Sequence, residues 1–161
     1  LSPRPTQQFC FEQQLELGLA CGKPLFLHQR DAHDDFIAIL SQVRDRLGAC
    51  VVHCFTADKR ELYECLDLDC HIGITGWICD ERRGAHLVPL MKAIPANRLM
   101  IETDAPYLLP RTIKPKPKTH RNEPKHLPWV LDAVAAARGE TPEQLAASSS
   151  ATARAFFRLP G

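Results

Sequence analysis

The chain has 161 residues, 45% of them hydrophobic, which is typical of a single globular domain with a sizeable core. Its formal charge of +1 and pI near 7.8 mean that net charge alone predicts neither nucleic-acid nor membrane affinity. No apolar stretch approaches the ~18 residues that span a bilayer, and no secretory leader is recognisable, so we expect a cytoplasmic protein without membrane contacts.

The seven cysteines form no CxxC pair, which excludes the spacing of a zinc ribbon. Their number is odd, and most of them lie among apolar residues. This pattern is typical of reduced, buried thiols in a cytosolic protein.

Four short apolar segments, rich in branched residues and bounded by Gly, Pro or charged residues, predict buried β-strands. They cover residues 24–28, 49–55, 71–77 and 98–104. Stretches with helical spacing of apolar residues lie between them, such as those at 36–47, 62–66 and 87–94. Strand and helix alternate with a period of about 25 residues, so we expect an α/β fold built from parallel βα units.

Helices are also predicted outside the four strands. One covers residues 7–21 and ends near Gly22, and two more cover residues 124–138 and 142–157. The last of these has Thr141 in the capping position, followed by Pro142 and by Gln144, as in a capping box.

Three metal-capable side chains lie at or near the ends of predicted strands: His28, His53 and Asp104. Functional groups of α/β barrels project from the C-terminal ends of the strands, so we expect these three at one end of the molecule. Two imidazoles and a carboxylate suit Zn²⁺ or Mn²⁺, and oxygen-rich sites suit Mg²⁺, so the set predicts a divalent ion without selecting one. A structural role for each residue taken singly is the alternative.

Glu102 lies two residues before Asp104, so strand alternation places both carboxylates on the face towards the barrel interior. One hypothesis makes Glu102 a supporting or proton-handling partner of the metal ligand, with Glu102 and Asp104 as the candidate catalytic acids. The alternative is that Glu102 pairs with an interior cation such as Arg30.

Five blocks of sequence resemble, at these spacings, the corresponding blocks of the TatD family of deoxyribonucleases: LHQRDAH, VVHCF, IGITGWICDERRG, IETDAPYLLP and RNEPKHLP. The resemblance implies a partial TIM-type (β/α) barrel with about four parallel strands and a divalent metal cofactor (Mg²⁺, Zn²⁺ or Mn²⁺). It implies hydrolysis of phosphodiester bonds in DNA, with 3′-5′ exonuclease action on single strands in some members. It also implies that His28, His53 and Asp104 are metal ligands.

The sequence departs from the family pattern in two places. Members ordinarily contribute an HxH pair near their N-terminus and a bridging glutamate from a GExGLD-like strand, and neither occurs here. We therefore expect residues 1–161 to be the C-terminal half of such a barrel, a fragment with four of eight strands and a partial metal site. A complete protein would be a monomer, whereas open sheet edges would favour self-association of the fragment.

The segment from Arg111 to Lys125 concentrates positive charge after the last predicted strand, with Glu123 as its single acid. Its basic residues are Arg111, Lys114, Lys116, Lys118, Arg121 and Lys125. Such a segment can follow a nucleic-acid backbone, and a solvated surface loop is the alternative. The expected partner is DNA, either single-stranded or at a 3′ end.

Further candidate substrate contacts lie near the predicted metal site. Arg30, two residues after His28, can bind phosphate, and Trp77 can stack a base or close the core. The Arg121-Asn122-Glu123 run can reach back into the site, but Asn122 would also fit the cap of a helix that begins at residue 124.

Several polar residues are expected to have no part in the site. We expect residues 80–83 to form the solvated start of a helix. We expect the histidines at 33, 71, 86, 120 and 126 to be surface or packing residues.

Two other functions stay open on the sequence alone. The same barrel could hydrolyse an amide, a lactone or another ester, although the basic segment argues against this. Because half of the expected site is missing, the chain could also be a non-catalytic remnant that binds nucleic acid or a partner.

Overall fold

The computed structural model describes residues 2–160. Its centre is a parallel sheet in the order β1-β2-β3-β4, in which each strand pairs with the next one along the chain. The strands are β1 (Leu25–Leu27), β2 (Cys50–Val52), β3 (Cys70–Ile74) and β4 (Leu99–Ile101). The predicted α/β class with four parallel strands is confirmed, and within the described residues β1 and β4 each have one open edge.

In the part of the chain that the structure describes, five α-helices flank the sheet: α1 (Arg4–Cys21), α2 (His33–Ser41), α3 (Lys59–Asp67), α4 (Leu127–Arg138) and α5 (Pro142–Phe157). The connections contain short 3-10 helices at Arg44–Arg46, Gly76–Cys79, Ala85–Ala93, Ala96–Arg98 and Pro124–His126. Among residues 2–160, none of the helices combines the length and apolar character that crossing a membrane requires.

The two faces of the sheet have different surroundings because side chains alternate along each strand. The outer face packs against the helices through Cys50, Val52, Cys70, Ile72, Ile74 and Leu99. The inner face carries Val51 and Met100, which pack against Phe156 at the end of α5. Phe26 pairs in register with Val51 and shares this inner face, yet it is 56% exposed. The inner face is therefore covered by α5 on one side and open beside β1.

Local signals for helix ends are confirmed at both ends of the chain. α1 ends at Gly22, whose φ of 61° is left-handed, a conformation that glycine adopts without steric penalty. At α5 the Thr141 hydroxyl accepts from the Gln144 N–H, and the Gln144 side chain accepts from the Thr141 N–H. Both helices therefore begin or end where local chemistry satisfies the free backbone groups.

Two predicted helices differ from the structure. The apolar spacing over residues 87–94 belongs to the 3-10 helix Ala85–Ala93, because Pro89 has no N–H to donate and its ring opposes a regular α-helix. The helix predicted over residues 36–47 ends at Ser41 and is followed by the 3-10 helix Arg44–Arg46.

The environments of Asp80 and of two cysteines were predicted wrongly. Asp80 is 2% exposed and accepts hydrogen bonds from the Arg82 N–H at 3.0 Å and from the Arg83 side chain at 2.8 Å, so it is not solvated. Five of the seven cysteines are buried, but Cys10 and Cys21 are exposed because they lie on the outer surface of α1.

Candidate metal centre

Three of the residues singled out in the sequence follow the C-terminal ends of strands. His28 directly follows β1, His53 directly follows β2, and Asp104 lies shortly beyond β4. The sheet continues towards these positions, since the Glu102 N–H donates to the Ile74 carbonyl at 2.9 Å. The parallel topology therefore delivers these side chains to one edge of the sheet.

His53 stands between two carboxylates. Its Nδ1 lies 2.8 Å from Glu102 Oε1, and its Nε2 lies 3.4 Å from Asp104 Oδ1. The contact with Glu102 raises the pKa of His53 above its ordinary 6.5, and partial burial opposes this rise. Glu102 thus holds one ring nitrogen and leaves the other facing Asp104, which is how a supporting carboxylate orients a metal-binding histidine. In the described structure Glu102 pairs with His53 and not with Arg30.

Cys54 joins this group, which its place in the sequence did not predict. Its φ of 50° is left-handed, so the chain turns directly after His53 and the alternation of strand side chains is broken. The Cys54 N–H donates to Glu102 Oε1 at 2.7 Å, which holds the turn in place. Such a conformation costs about 1–2 kcal/mol for a non-glycine residue, so the surrounding contacts must stabilise it.

The ligand atoms of His53, Cys54 and Asp104 all lie within 4.8 Å of one another. A nitrogen and a sulfur donor that follow β2 and an oxygen donor beyond β4 fit a divalent ion of the kind the sequence predicts. The Cys54 sulfur also lies 3.4 Å from Thr75 Oγ1. Burial raises the pKa of the Cys54 thiol, while the hydrogen bond with Thr75 lowers it.

His28 lies beside this group and not within it. Its ring centroid is 5.6 Å from that of His53, and its Nδ1 lies 3.3 Å from the His53 carbonyl oxygen. Phe26 approaches the His53 ring from β1, with the ring centroids 4.8 Å apart. A role for His28 as a metal ligand stays a prediction.

Gly73 in β3 leaves the space that Glu102 occupies. A Cβ atom on Gly73 would lie 2.8 Å from the Glu102 Cδ, which is closer than such atoms approach. Any larger residue at position 73 would displace the carboxylate that orients His53.

Trp77 lies in the 3-10 helix after β3 and supports two guanidinium groups. The Arg83 Cζ is 4.4 Å from the Trp77 ring centroid, and the Arg30 Cζ is 5.7 Å from it. Arg83 is anchored by Asp80, whereas Arg30 is exposed. Trp77 therefore holds Arg30 near the strand ends by a cation–π contact, and base stacking by its ring stays a prediction.

Asn122 holds the loop that follows β4 in place through hydrogen bonds. Its side chain is buried and donates to the carbonyls of Tyr107 at 2.8 Å and Leu108 at 3.3 Å, while its Oδ1 accepts from the Glu123 N–H. Glu123, and not Asn122, caps the helix that begins at Pro124, so that detail was predicted wrongly. Asn122 thus supports the loop carrying Asp104, and direct substrate contacts by Asn122, Glu123 or the exposed Arg121 stay predictions.

All six cations of the basic segment are exposed to solvent. Arg111 pairs with Glu81 and Lys125 pairs with Glu123, each at 3.1 Å. The other four have no ion-pair partner within the described part of the chain: Lys114, Lys116, Lys118 and Arg121. Four unpaired positive charges in one loop can attract a polyanion.

The family profile described as TatD related DNase matches residues 1–158. A relative from Erwinia billingiae, named 3′-5′ ssDNA/RNA exonuclease TatD, is 54% identical over 97% of this chain and 60% of its own length. The protein of the same name from Klebsiella pneumoniae is 52% identical over 95% of this chain and 58% of its own length. The chain therefore spans about 60% of the length of the curated relatives it matches.

Solved structures show the same fold. A TatD family hydrolase from Entamoeba histolytica has a TM-score of 0.85 at 22% identity, and the TatD homologue YjjV from Escherichia coli K12 has 0.85 at 25% identity. Each comparison covers 97% of this chain and 58% of the solved chain. The partial TIM-type barrel predicted from the sequence is confirmed by these structures.

Proposed function

Because the chain belongs to the TatD related DNase family, we propose that it supplies the C-terminal part of a metal-dependent nuclease that shortens single-stranded DNA from its 3′ end. The observation that carries this proposal is the cluster of His53, Cys54 and Asp104 at the carboxyl edge of the parallel sheet. That edge is where barrel enzymes place their chemistry. The names of the relatives at about 50% identity support this activity and extend it to single-stranded RNA.

We propose that residues 1–161 form half of the working barrel. The sheet has two open edges within the described residues, and a TIM-type barrel closes with eight strands. Phe26 is exposed on the inner face, where a closed barrel would bury it. Additional strands, in the same protein or in another chain, would cover this face and complete the ligand set.

Each residue of the proposed site has a role that follows from its position. His53 and Asp104 would hold the ion, with His28 beside them as a further donor from β1. Glu102 fixes the His53 ring, and Asp104 can also orient or deprotonate the attacking water. A bound Mg²⁺, Zn²⁺ or Mn²⁺ ion would activate that water and offset charge developing on the phosphoryl group.

Substrate binding is assigned to the cations around this edge. Arg30, held by Trp77, is placed to contact a phosphate, and the basic segment would follow the nucleic-acid backbone. These charges favour a phosphodiester over a neutral amide or lactone.

The proposed location of the protein is the cytoplasm. Its seven free cysteines fit a reducing compartment.

The test is a chimera in which this chain replaces the corresponding part of the Erwinia billingiae relative. We expect divalent-ion-dependent release of nucleotides from the 3′ end of a single-stranded oligonucleotide. Asp104→Asn should reduce the rate by about 10²–10³-fold, the usual effect of removing one charge-stabilising group. The exposed Asp45→Asn is the matched control and should leave the rate unchanged.

A folded chimera that binds DNA without cleaving it would contradict the proposal and favour a non-catalytic binding function. Cleavage that survives Asp104→Asn would contradict the assignment of the site.

A further inference from the structure

The loop between β1 and α2 carries Arg30, and its conformation needs support from outside the loop. Asp31, the next residue, has a left-handed φ of 54°, which is unfavourable for a residue other than glycine. Ala32 occupies the N-cap position of α2 and has no side-chain oxygen to cap the helix. Contacts with other elements must therefore keep Arg30 in its place beside Trp77.

His33, the first residue of α2, contacts the first turns of α3. Its side chain is only 3% exposed, and its Nε2–H donates to Glu64 Oε2 at 2.7 Å. Its Nδ1 lies 3.6 Å from Glu61 Oε2. Arg60 of α3 also pairs with Asp34 of α2, but both side chains are more than half exposed, so this pair contributes little. The buried imidazole is therefore the stronger of the two polar connections between the helices.

Gln29 extends this connection to the loop itself. Its Nε2 donates to Glu61 Oε2 at 3.5 Å, and its Oε1 accepts from the Ala32 N–H at 3.1 Å. Gln29 and Ala32 lie on either side of the segment that carries Arg30. The carboxylate oxygen that receives Gln29 is also the one beside the His33 ring. A displacement of His33 would therefore disturb both supports of Arg30.

A role in packing alone does not explain a histidine at position 33. Burial of an imidazole is unfavourable unless its nitrogens are bonded, and within residues 2–160 the Nδ1 of His33 has no hydrogen-bond partner. An apolar residue would avoid this cost. The hydrogen bond to Glu64 instead supplies a fixed direction, which apolar packing does not.

We infer that His33 is a positioning residue for substrate binding. Through Glu61 and Glu64 it holds the β1–α2 loop in the conformation in which Arg30 can contact a phosphate of a single-stranded nucleic acid. The inference rests on the role of Arg30 in the proposed function and adds the residue on which that role depends. His33 is buried and does not touch the substrate, so its replacement acts on affinity only through Arg30.

The test is the binding of a fluorescently labelled single-stranded oligodeoxynucleotide to the chain, measured by fluorescence anisotropy with a chelator present to prevent cleavage. His33→Ala should weaken binding about tenfold, the usual effect of losing a hydrogen bond to a charged group. It should also reduce the slope of log affinity against log salt by about 0.7, as expected for losing one phosphate contact to a single strand.

Two variants serve as comparisons for His33→Ala. His33→Gln keeps an N–H that can donate to Glu64, so it should retain most of the affinity and the native salt slope. His71→Ala removes a comparably buried histidine near the other end of the sheet, and it should bind as the native chain does.

A double variant separates positioning from a general loss of stability. If His33 acts through Arg30, adding His33→Ala to Arg30→Ala should cause no further loss of affinity, whereas independent effects would add. Glu64→Ala removes the partner of His33 from the surface of α3 and covers the case in which His33→Ala fails to fold. It should reduce the salt slope to the same extent.

An unchanged salt slope in the folded variants, or additive losses in the double variant, would overturn the role of His33 and leave the proposed function intact. A native chain that does not bind the oligodeoxynucleotide would overturn the substrate assignment of the proposed function and this inference with it.

Discussion

Glu102 makes the contacts that set the geometry of the candidate metal centre. It approaches the His53 ring at 2.8 Å and accepts the Cys54 N–H at 2.7 Å. Its distance of two residues from Asp104 was enough to predict a supporting role from strand alternation. Its partners could not be predicted, because they depend on the registers with which β2 and β4 each pair with β3.

Replacement of Glu102 should weaken the centre without removing a ligand. We expect Glu102→Gln to lower divalent-ion affinity by about 10–100-fold, the usual effect of losing a partner that orients a metal-binding histidine. Competition with a metal-sensitive dye would measure this. The exposed Glu16→Gln is the control, and equal affinities for the two variants would contradict the role of Glu102.

His71 predicts how stability depends on pH. Burial lowers its pKa, and so do the nearby Arg98 and Arg44, whereas the Cys50 backbone and Asp69 raise it. The unfolded chain therefore binds the His71 proton more tightly than the folded chain does. The contribution of neutral His71 to stability is fully present above about pH 6.5 and is lost as the pH falls below that value.

Urea unfolding at about pH 7.5 and about pH 5.5 would test this expectation. His71→Gln should lose less stability on acidification than the native chain, and the exposed His120→Gln should behave as the native chain does. An unchanged pH dependence in His71→Gln would show that other groups are responsible.

The residue that sequence reasoning missed is Cys54. Its neighbour His53 was predicted from its place at a strand end, but strand alternation assigns Cys54 to the opposite face. Only the left-handed turn at Cys54 reverses this, and a cysteine gives no local signal for that conformation. Asp80 was misjudged for a similar reason, since its burial depends on a turn in which it accepts hydrogen bonds from Arg82 and Arg83.

At the scale of the elements, apolar runs predicted all four strands because a buried parallel strand has few polar residues. The predicted strands were too long, because they included residues beyond the paired part of the sheet, such as His28 after β1 and His53 after β2. The helix expected over residues 87–94 has the right apolar spacing but the wrong geometry. Pro89 explains the difference, and its presence in the sequence could have shown it.

Packing between β3 and the loop after β4 gives a prediction for Gly73. Gly73→Ala should displace the Glu102 carboxylate and weaken divalent-ion binding to a similar extent as Glu102→Gln, while the sheet stays folded. Gly48→Ala is the control, because a Cβ there meets its nearest atom at 3.9 Å. Circular dichroism and the same dye competition would separate loss of folding from loss of the site. Full metal affinity in Gly73→Ala would contradict the spatial argument.

At the scale of the whole molecule, the open sheet predicts that the isolated chain associates with itself. Phe26 is exposed on the inner face, so Phe26→Asp should reduce self-association roughly tenfold, as expected for removing one large apolar side chain from a contact. Sedimentation equilibrium would measure this. Phe9→Asp is the control, since Phe9 is equally exposed but lies on α1.

In a closed barrel the same substitution should lower the stability of the protein, whereas in the isolated chain it should reduce self-association. In the chimera with the Erwinia billingiae relative, Phe26 would be buried, so Phe26→Asp should destabilise the protein. Equal effects of the Phe26 and Phe9 substitutions in both settings would contradict the half-barrel proposal.

The claim on which this account depends is that His53 and Asp104 share one divalent ion. Anomalous diffraction from crystals soaked in Mn²⁺ or Zn²⁺ tests it most directly. We expect a peak between His53 Nε2 and the Asp104 carboxylate, at about 2.0–2.2 Å from each. A well-ordered crystal with no peak there, or with peaks only at other side chains, would contradict the claim.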